Sequence, residues 1–440
     1  MATTQYLSGP FAPVTEELTA FDLPVTGRIP ADLSGRYLRN GPNPLGVEDP
    51  ATHIWTFGAG MVHGVRIRDG RAEWYRNRWV RSSTVSDHLG EPARPPIPNL
   101  LDFAPNVHVI GHAGRTFALV EDMLRPYELD DELGTVGPCD LGLTSDGFSA
   151  NAHAKRDPRT GDLHAVAFHT GRDYVKHIVV DAAGTTVSAT DIPVPDGPYM
   201  HDFALTERYV IVYDLPLTFS LAAVQSGRIP PYVWNPGHQA RVGLLPRAGG
   251  PVRWLEVEPC FVGHTLNAYD DGDSVVVDVI RYGPGFDPRD IGGNRPALDR
   301  WTIDLAEGKV REERIDDQPQ DFPRINETNL SRAHRYGYAA ANALHETFAN
   351  TLIKHDFARG TREVHRFPRD AAVGEAVFVP SSSGTAEDDG YLMAYAHNPE
   401  RDAADLVILS AQDISATPVA RIHLPGRVPL GFHGSWIPDR

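Results

Sequence analysis

The sequence predicts an all-β chain, arranged as a β-propeller. Short runs of strand type recur along it, long helical periodicity is scarce, and the turns between runs share one chemistry. The runs include Leu163–His169, Tyr209–Tyr213, Ser274–Ile280, Leu352–Lys354, Tyr391–Ala396 and Leu406–Ser410. The connections Asp157–Gly161, Asp181–Gly184, Asp304–Gly308 and Asp356–Gly360 each open on Asp and close on Gly, and Asp69-Gly70 is a shorter form. Asp accepts hydrogen bonds from its own backbone in such turns, and Gly supplies positive φ. Antiparallel hairpins repeated over 440 residues suit a sandwich pair or a propeller. The repeated strand–turn–strand unit favours the propeller.

Length alone suggests about three domains at ~150 residues each. The 40 Gly and 37 Pro are spread through the chain and no low-complexity linker interrupts it, so it reads as one domain, 1–440. Leu215–Trp234 and Gly283–Pro296 read as long loops over one face.

Composition narrows the partners. Lys and Arg total 41 against 58 Asp and Glu, a net charge of −17, the wrong sign for tracking phosphates or anionic lipid. No nucleic acid partner is expected. Cys139 and Cys260 are the only cysteines, too few for a thiolate zinc site or a disulfide framework. The N-terminus lacks a signal-peptide pattern and no run reaches 18 apolar residues, so the expected location is the cytoplasm.

Several motifs fail on inspection. Gly58-Ala-Gly60-Met-Val-His-Gly64 has its third Gly one position late for a dinucleotide loop and no helix after it. Asp270–Asp273 lacks the twelve-residue calcium pattern and reads as a hairpin turn. Glu387–Gly390 reads as a solvated turn.

Histidine is the informative residue, with 19 present. His153, His201 and His264 each open a segment that leads into a β-run, and His433 sits in Gly431-Phe-His-Gly-Ser-Trp436. Equivalent positions in different blades of a propeller converge at one end of its axis. Ligands far apart in sequence then meet without a helical motif. The plainer reading of each ring is a satisfied core or surface histidine.

With these motifs the chain resembles the carotenoid cleavage oxygenase family, nearly end to end. Leu33-Ser-Gly-Arg-Tyr-Leu-Arg-Asn-Gly-Pro-Asn-Pro44 is similar to its N-terminal signature, and Gly60–His63 and Leu119-Val-Glu-Asp122 also match. The segments around the four histidines resemble its iron-binding segments, with His-x-x-Asn-Ala at 264 and Gly-Phe-His-Gly-x-Trp at 431 the most specific. The resemblance implies a seven-bladed β-propeller with a loop and short-helix cap over an axial metal site. It implies Fe(II) held by His153, His201, His264 and His433. It also implies carboxylates that orient those imidazoles: Glu121, Glu375 and Asp321. Asp321 departs from the pattern, because Asp321-Phe-Pro-Arg324 stands where the family has Glu. The backbone sits closer there, a water bridges, or the contact is lost. Phe57-Gly-Ala-Gly-Met61 departs too, lacking the usual Asp before the last Gly.

Four neutral imidazoles suit Fe(II) and leave positions for O2, and partner carboxylates fix each ring's tautomer. Splitting one C=C bond with one O2 draws four electrons from the substrate, which agrees with the missing dinucleotide motif. The implied partners are O2 and an apolar conjugated small molecule. Phe57, Phe103, Tyr199, Phe203, Phe261 and Phe432 are candidates to line its tunnel, against ordinary core packing. The leading expectation is cleavage of a carotenoid or apocarotenoid. The alternative is a stilbene or phenylpropanoid alkene, disfavoured because Val120 stands where stilbene-cleaving members carry Lys. A propeller scaffold without chemistry is the third class. Leu215–Val224 is the candidate for peripheral membrane contact, against a packed loop helix.

Overall fold

The computed structural model describes residues 5–47, 50, 53–92, 105–122, 125–290, 295–341, 348–382 and 384–439. Among them the only α-helices are Ser83–Leu89 and Leu221–Gln225. Almost everything else with regular structure is strand, as the run-and-turn pattern predicts.

Among the described residues the strands form seven sheets of four or five, besides one two-stranded ribbon, and seven is the number from which a seven-bladed β-propeller is built. In chain order the second to fifth run as meanders: from His108–His112 to Thr135–Pro138, Lys155–Arg156 to Thr186–Pro193, Ala204–Leu205 to Arg253–Glu256 with an excursion at Leu217–Trp234 between its second and third strands, and Phe261–Asp271 to Lys309–Asp316. The sixth runs from Gln320–Arg324 to Thr361–Arg366. The first and seventh borrow from the opposite chain end. Gly434–Pro438 pairs antiparallel with Gly35–Pro42, setting Trp436 opposite Tyr37. Val25–Gly27 pairs with Ala420–His423. Both chain ends are thereby locked into sheets.

The Asp…Gly turns are built as their chemistry requires. Asp181 Oδ1 accepts from the N–H of Ala183 and Thr185, and Asp304 Oδ1 from Ala306 and Glu307. Gly184 and Gly308 close these turns at φ 89° and 68°. Asp271 and Ser274 pair across Gly272, so the Asp270–Asp273 stretch is the expected hairpin turn.

The chain packs as two compact units, Met1–Val120 with Leu124–Asp140 and Tyr338–Arg440, and Glu121–Met123 with Leu141–Gly337. The first has one core around Leu33, Tyr37, Tyr75, Met393 and Leu406, and another around Leu38, Met61, Trp79 and Val109. The second packs Ile211, Val242, Leu255 and Val277 around the fully buried Trp301. Each such side chain contributes about 1.5–3 kcal/mol by leaving water.

Three expectations need correction. Leu215–Trp234 is not simply a loop: Leu217–Phe219 and Tyr232–Trp234 pair as a ribbon, and Ser220 Oγ caps the helix between them. The β-branched and aromatic residues of both arms, Thr218 and Phe219 on one and Tyr232, Val233 and Trp234 on the other, are strand formers, which outweighed the Pro and Gly signal. The Glu387–Gly390 turn is not wholly solvated, because Asp388 accepts from Lys354 Nζ at 2.7 Å and that Lys side chain is buried. The segment from His264 leads into the strand Ser274–Tyr282 as expected, but it is itself strand, within Phe261–Asp271, rather than a lead-in loop.

Candidate metal centre

His153 and His201 sit just before the short first strands of their sheets, Lys155–Arg156 and Ala204–Leu205. His264 is aimed by two irregularities in its own strand. Val262 pairs with Arg281, His264 with Ile280, Thr265 with Val279 and Asn267 with Asp278, so Gly263 and Leu266 are extra residues. Such bulges bend a strand and redirect its side chains.

One buried carboxylate ties the three segments together. Asp202 Oδ1 accepts from Lys155 Nζ at 2.8 Å and from the Phe203 N–H at 2.7 Å. Its Oδ2 accepts from the Thr265 N–H at 2.7 Å. Thr265 is anchored again through its hydroxyl, 2.8 Å from that of Tyr213. The neighbours of His153, His201 and His264 are thus held to one point.

The rings themselves cluster. Centroids lie 4.4 Å apart for His153 and His201, 5.0 Å for His201 and His264, and 5.1 Å for His153 and His264. Glu121 Oε1 meets His201 Nδ1 in a short contact and lies 3.8 Å from His153 Nε2. Glu121 Oε2 accepts from the Tyr199 hydroxyl at 2.8 Å. Asp321 Oδ1 accepts from His264 Nδ1 at 2.5 Å, and Oδ2 accepts from the Tyr282 hydroxyl. The shorter carboxylate therefore reaches its imidazole directly.

In the first unit His433 repeats this pairing. Glu375 Oε1 lies 2.9 Å from His433 Nδ1, and Oε2 accepts from the Gly434 N–H at 2.8 Å. The backbone around His433 is pinned by the N-terminal signature. Asn40 N–H donates to the His433 carbonyl, Phe432 N–H to that of Asn40, and His433 N–H to that of Val107, each at 3.0 Å. Gly41 is required for this approach, since a Cβ there would sit 2.6 Å from Gly431 Cα.

The electrostatics suit a cation. Burial pushes the Asp321 carboxyl up, but the neighbouring His264 charge and the hydrogen bonds of His264, Tyr282 and Phe322 bring it below its ordinary value. Burial and the adjacent carboxylates push the Tyr199 and Tyr282 phenols well up, so both remain donors. The Asp321 carboxylate accepts, so His264 Nδ1 is the donor of their hydrogen bond. The Nε2 atoms of His201 and His264 lie 3.3 Å apart. Imidazole nitrogens gathered this closely fit a divalent transition metal.

Of the aromatic candidates, Tyr199 and Phe261 stack on one another beside His201. Phe203 is fully buried beneath Lys155 Nζ, 5.1 Å from its ring. Phe261 stacks on Phe286 at 4.4 Å, and Phe432 packs on Trp55 at 4.9 Å. Phe57 is half-buried, and Phe103 lies outside the described residues. Sequence reasoning missed the roles of Asp202, Asp122 and Tyr282. Asp122 takes a left-handed φ of 59° and turns away from Glu121 to accept from the Thr170 N–H at 2.7 Å. A charged residue set between His201 and the apolar Phe203-Ala-Leu205 was the available signal for Asp202. Nothing in the sequence marks Tyr282.

Comparison with known proteins places the chain in a family. The family model for the retinal pigment epithelial membrane protein, RPE65, matches residues 11–438. A carotenoid cleavage oxygenase of Mycobacterium tuberculosis is 45% identical over 98% of this chain and 97% of its own. The lignostilbene dioxygenase of Pseudomonas brassicacearum superposes with TM-score 0.88 at 28% identity, covering 99% of this chain and 98% of that one. The cobalt-substituted apocarotenoid oxygenase of Synechocystis gives 0.88 at 26% identity, covering 97% of each. With the histidine cluster and the all-β blades already in place, these matches settle the assignment: the chain belongs to the carotenoid cleavage oxygenase family, that of RPE65.

Proposed function

We propose that the chain is a non-haem Fe(II) dioxygenase that cleaves a C=C bond of a carotenoid or apocarotenoid to two carbonyl products, its 440 residues acting as one domain. His153, His201, His264 and His433 are the ligands, and Glu121, Asp321 and Glu375 fix their tautomers. The observation that carries this reading is the imidazole–carboxylate pair at Nδ1 of His201, His264 and His433, with the first two presenting Nε2 to one another. Bound iron would supply O2 activation. The protein supplies ring orientation, and the carboxylates raise imidazole basicity. One alkene and one O2 give two carbonyls, so no external reductant enters.

A second reading is cleavage of a stilbene or phenylpropanoid alkene, favoured by the likeness to lignostilbene dioxygenase. The buried Val120 beside Glu121 offers no cation for a phenolate, which supports the carotenoid reading. Contact with a membrane would use the exposed Leu221, Val224 and Ile229 around the ribbon helix. No helix among the described residues is long and apolar enough to cross one. The test is product analysis by mass spectrometry after incubating the Fe(II)-loaded enzyme with β-carotene, apocarotenals and resveratrol. Aldehydes from a carotenoid or apocarotenal are expected. Turnover of resveratrol alone would sink the first reading, and no carbonyl product from any of them would sink both.

A further inference from the structure

Asp321 is one methylene shorter than the glutamate the family pattern places there, yet its Oδ1 sits 2.5 Å from His264 Nδ1. The surroundings show how the shorter arm is steered. The same Oδ1 accepts from the Phe322 N–H at 2.8 Å, and Phe322 holds a left-handed φ of 54°, which turns the backbone sharply at Asp321. Oδ2 accepts from the Tyr282 hydroxyl. The Tyr282 ring is fixed in turn: it packs on Phe286 at 4.7 Å and on Phe261 at 6.0 Å. It also lies against Gly263, where a Cβ would come within 2.6 Å of Tyr282 Cε2. The bulge residue before His264 must therefore be small for the tyrosine to reach the carboxylate.

We propose that Tyr282 is a positioning residue that lets Asp321 stand in for a glutamate, holding the short carboxylate on His264 Nδ1 through space left by Gly263. This rests on the metal reading above. A glutamate at 321 reaches His264 by its own length and needs no such support. The test compares Tyr282→Phe in the parent and in the Asp321→Glu background. The probe is Co(II), followed by its release to excess chelator and by its visible spectrum. In the parent, Tyr282→Phe should speed Co(II) release about 10-fold, the low end of the range for lost support of a metal ligand, and shift the spectrum. In the Asp321→Glu background the same change should be nearly silent. Equal effects in both backgrounds, or none in either, would overturn the proposal. A parent that binds no Co(II) would defeat the metal reading instead. The His264 Nδ1 proton resonance of the metal-free chain then decides the positioning claim: Tyr282→Phe must move it upfield, and an unmoved resonance refutes the role.

Discussion

Replacing Asp202 by Asn keeps the shape of the side chain and removes its charge. Asp202 is almost wholly buried, with 2% side-chain exposure against 13% for its partner Lys155. Its oxygens accept from Lys155 Nζ and from the Phe203 and Thr265 N–H groups. An Asn can turn only one oxygen to these donors. Facing its carbonyl to Lys155 and Phe203 points its NH2 at the Thr265 N–H, donor against donor. Breaking a buried ion pair costs about 3–5 kcal/mol, and a buried donor left unmet about 1–3 kcal/mol. Lys155 keeps some solvent and the Phe203 ring face, so a total of about 3–5 kcal/mol is expected. Urea unfolding of the metal-free chain measures it. Because Asp202 holds the neighbours of three histidines, metal affinity should fall in parallel. Lys155→Met removes the stranded charge and should recover part of the loss in the double variant. Unfolding within about 0.5 kcal/mol of the parent, the ordinary scatter of surface substitutions, would refute the reasoning, as would a double variant showing no recovery.

Other perturbations probe separate links. Glu121→Gln should weaken metal binding about 10–100-fold by exchanging a charge-assisted contact with His201 for a neutral one; chelator competition reads this, and unchanged affinity counts against the tautomer argument. His264→Ala should abolish tight metal binding while the far-ultraviolet β spectrum persists, and retained affinity would contradict its assignment as a ligand. Acid should destabilise the fold through the hydrogen-bonded pair His164 and His177, 3.0 Å apart. Burial, with Arg247 adding, lowers His164 to about 4, and burial, with the charges of His164 and Arg247, lowers His177 to about 3. The unfolded chain binds more protons below its own value of about 6.5, so this stability is complete above that pH and is lost as pH falls toward 4. Each ring contributes a slope of about 1.4 kcal/mol per pH unit. His177→Phe should flatten the measured dependence, and an unaltered slope between pH 6.5 and 5 would refute it.

The strands and turns were legible because their signals are local. Asp and Gly at fixed offsets dictate turn geometry wherever they fall, and every such turn described here obeys it. The ribbon at Leu217–Trp234 was not legible, since Pro and Gly report where a chain bends but not what its arms pair with. The histidine segments were legible through their motifs and the family resemblance those motifs carry, and the carboxylate at 321 through that resemblance alone. That Asp321 reaches His264 directly depends on a left-handed Phe322 and a tyrosine ring beside Gly263. Those are contacts between distant residues that leave no mark on local sequence. Asp202 escaped notice for a similar reason: its three donors come from segments that only the fold brings together.

We propose that this histidine site cleaves an alkene with one molecule of O2. The most direct measurement supplies 18O2 to the Fe(II)-loaded enzyme with an apocarotenal, follows oxygen uptake, and weighs both products. One O2 should be consumed per alkene cleaved, with two carbonyl products, and both should be lost in His264→Ala. Oxygen uptake without carbonyl formation, or cleavage that persists after His264 is removed, would contradict it.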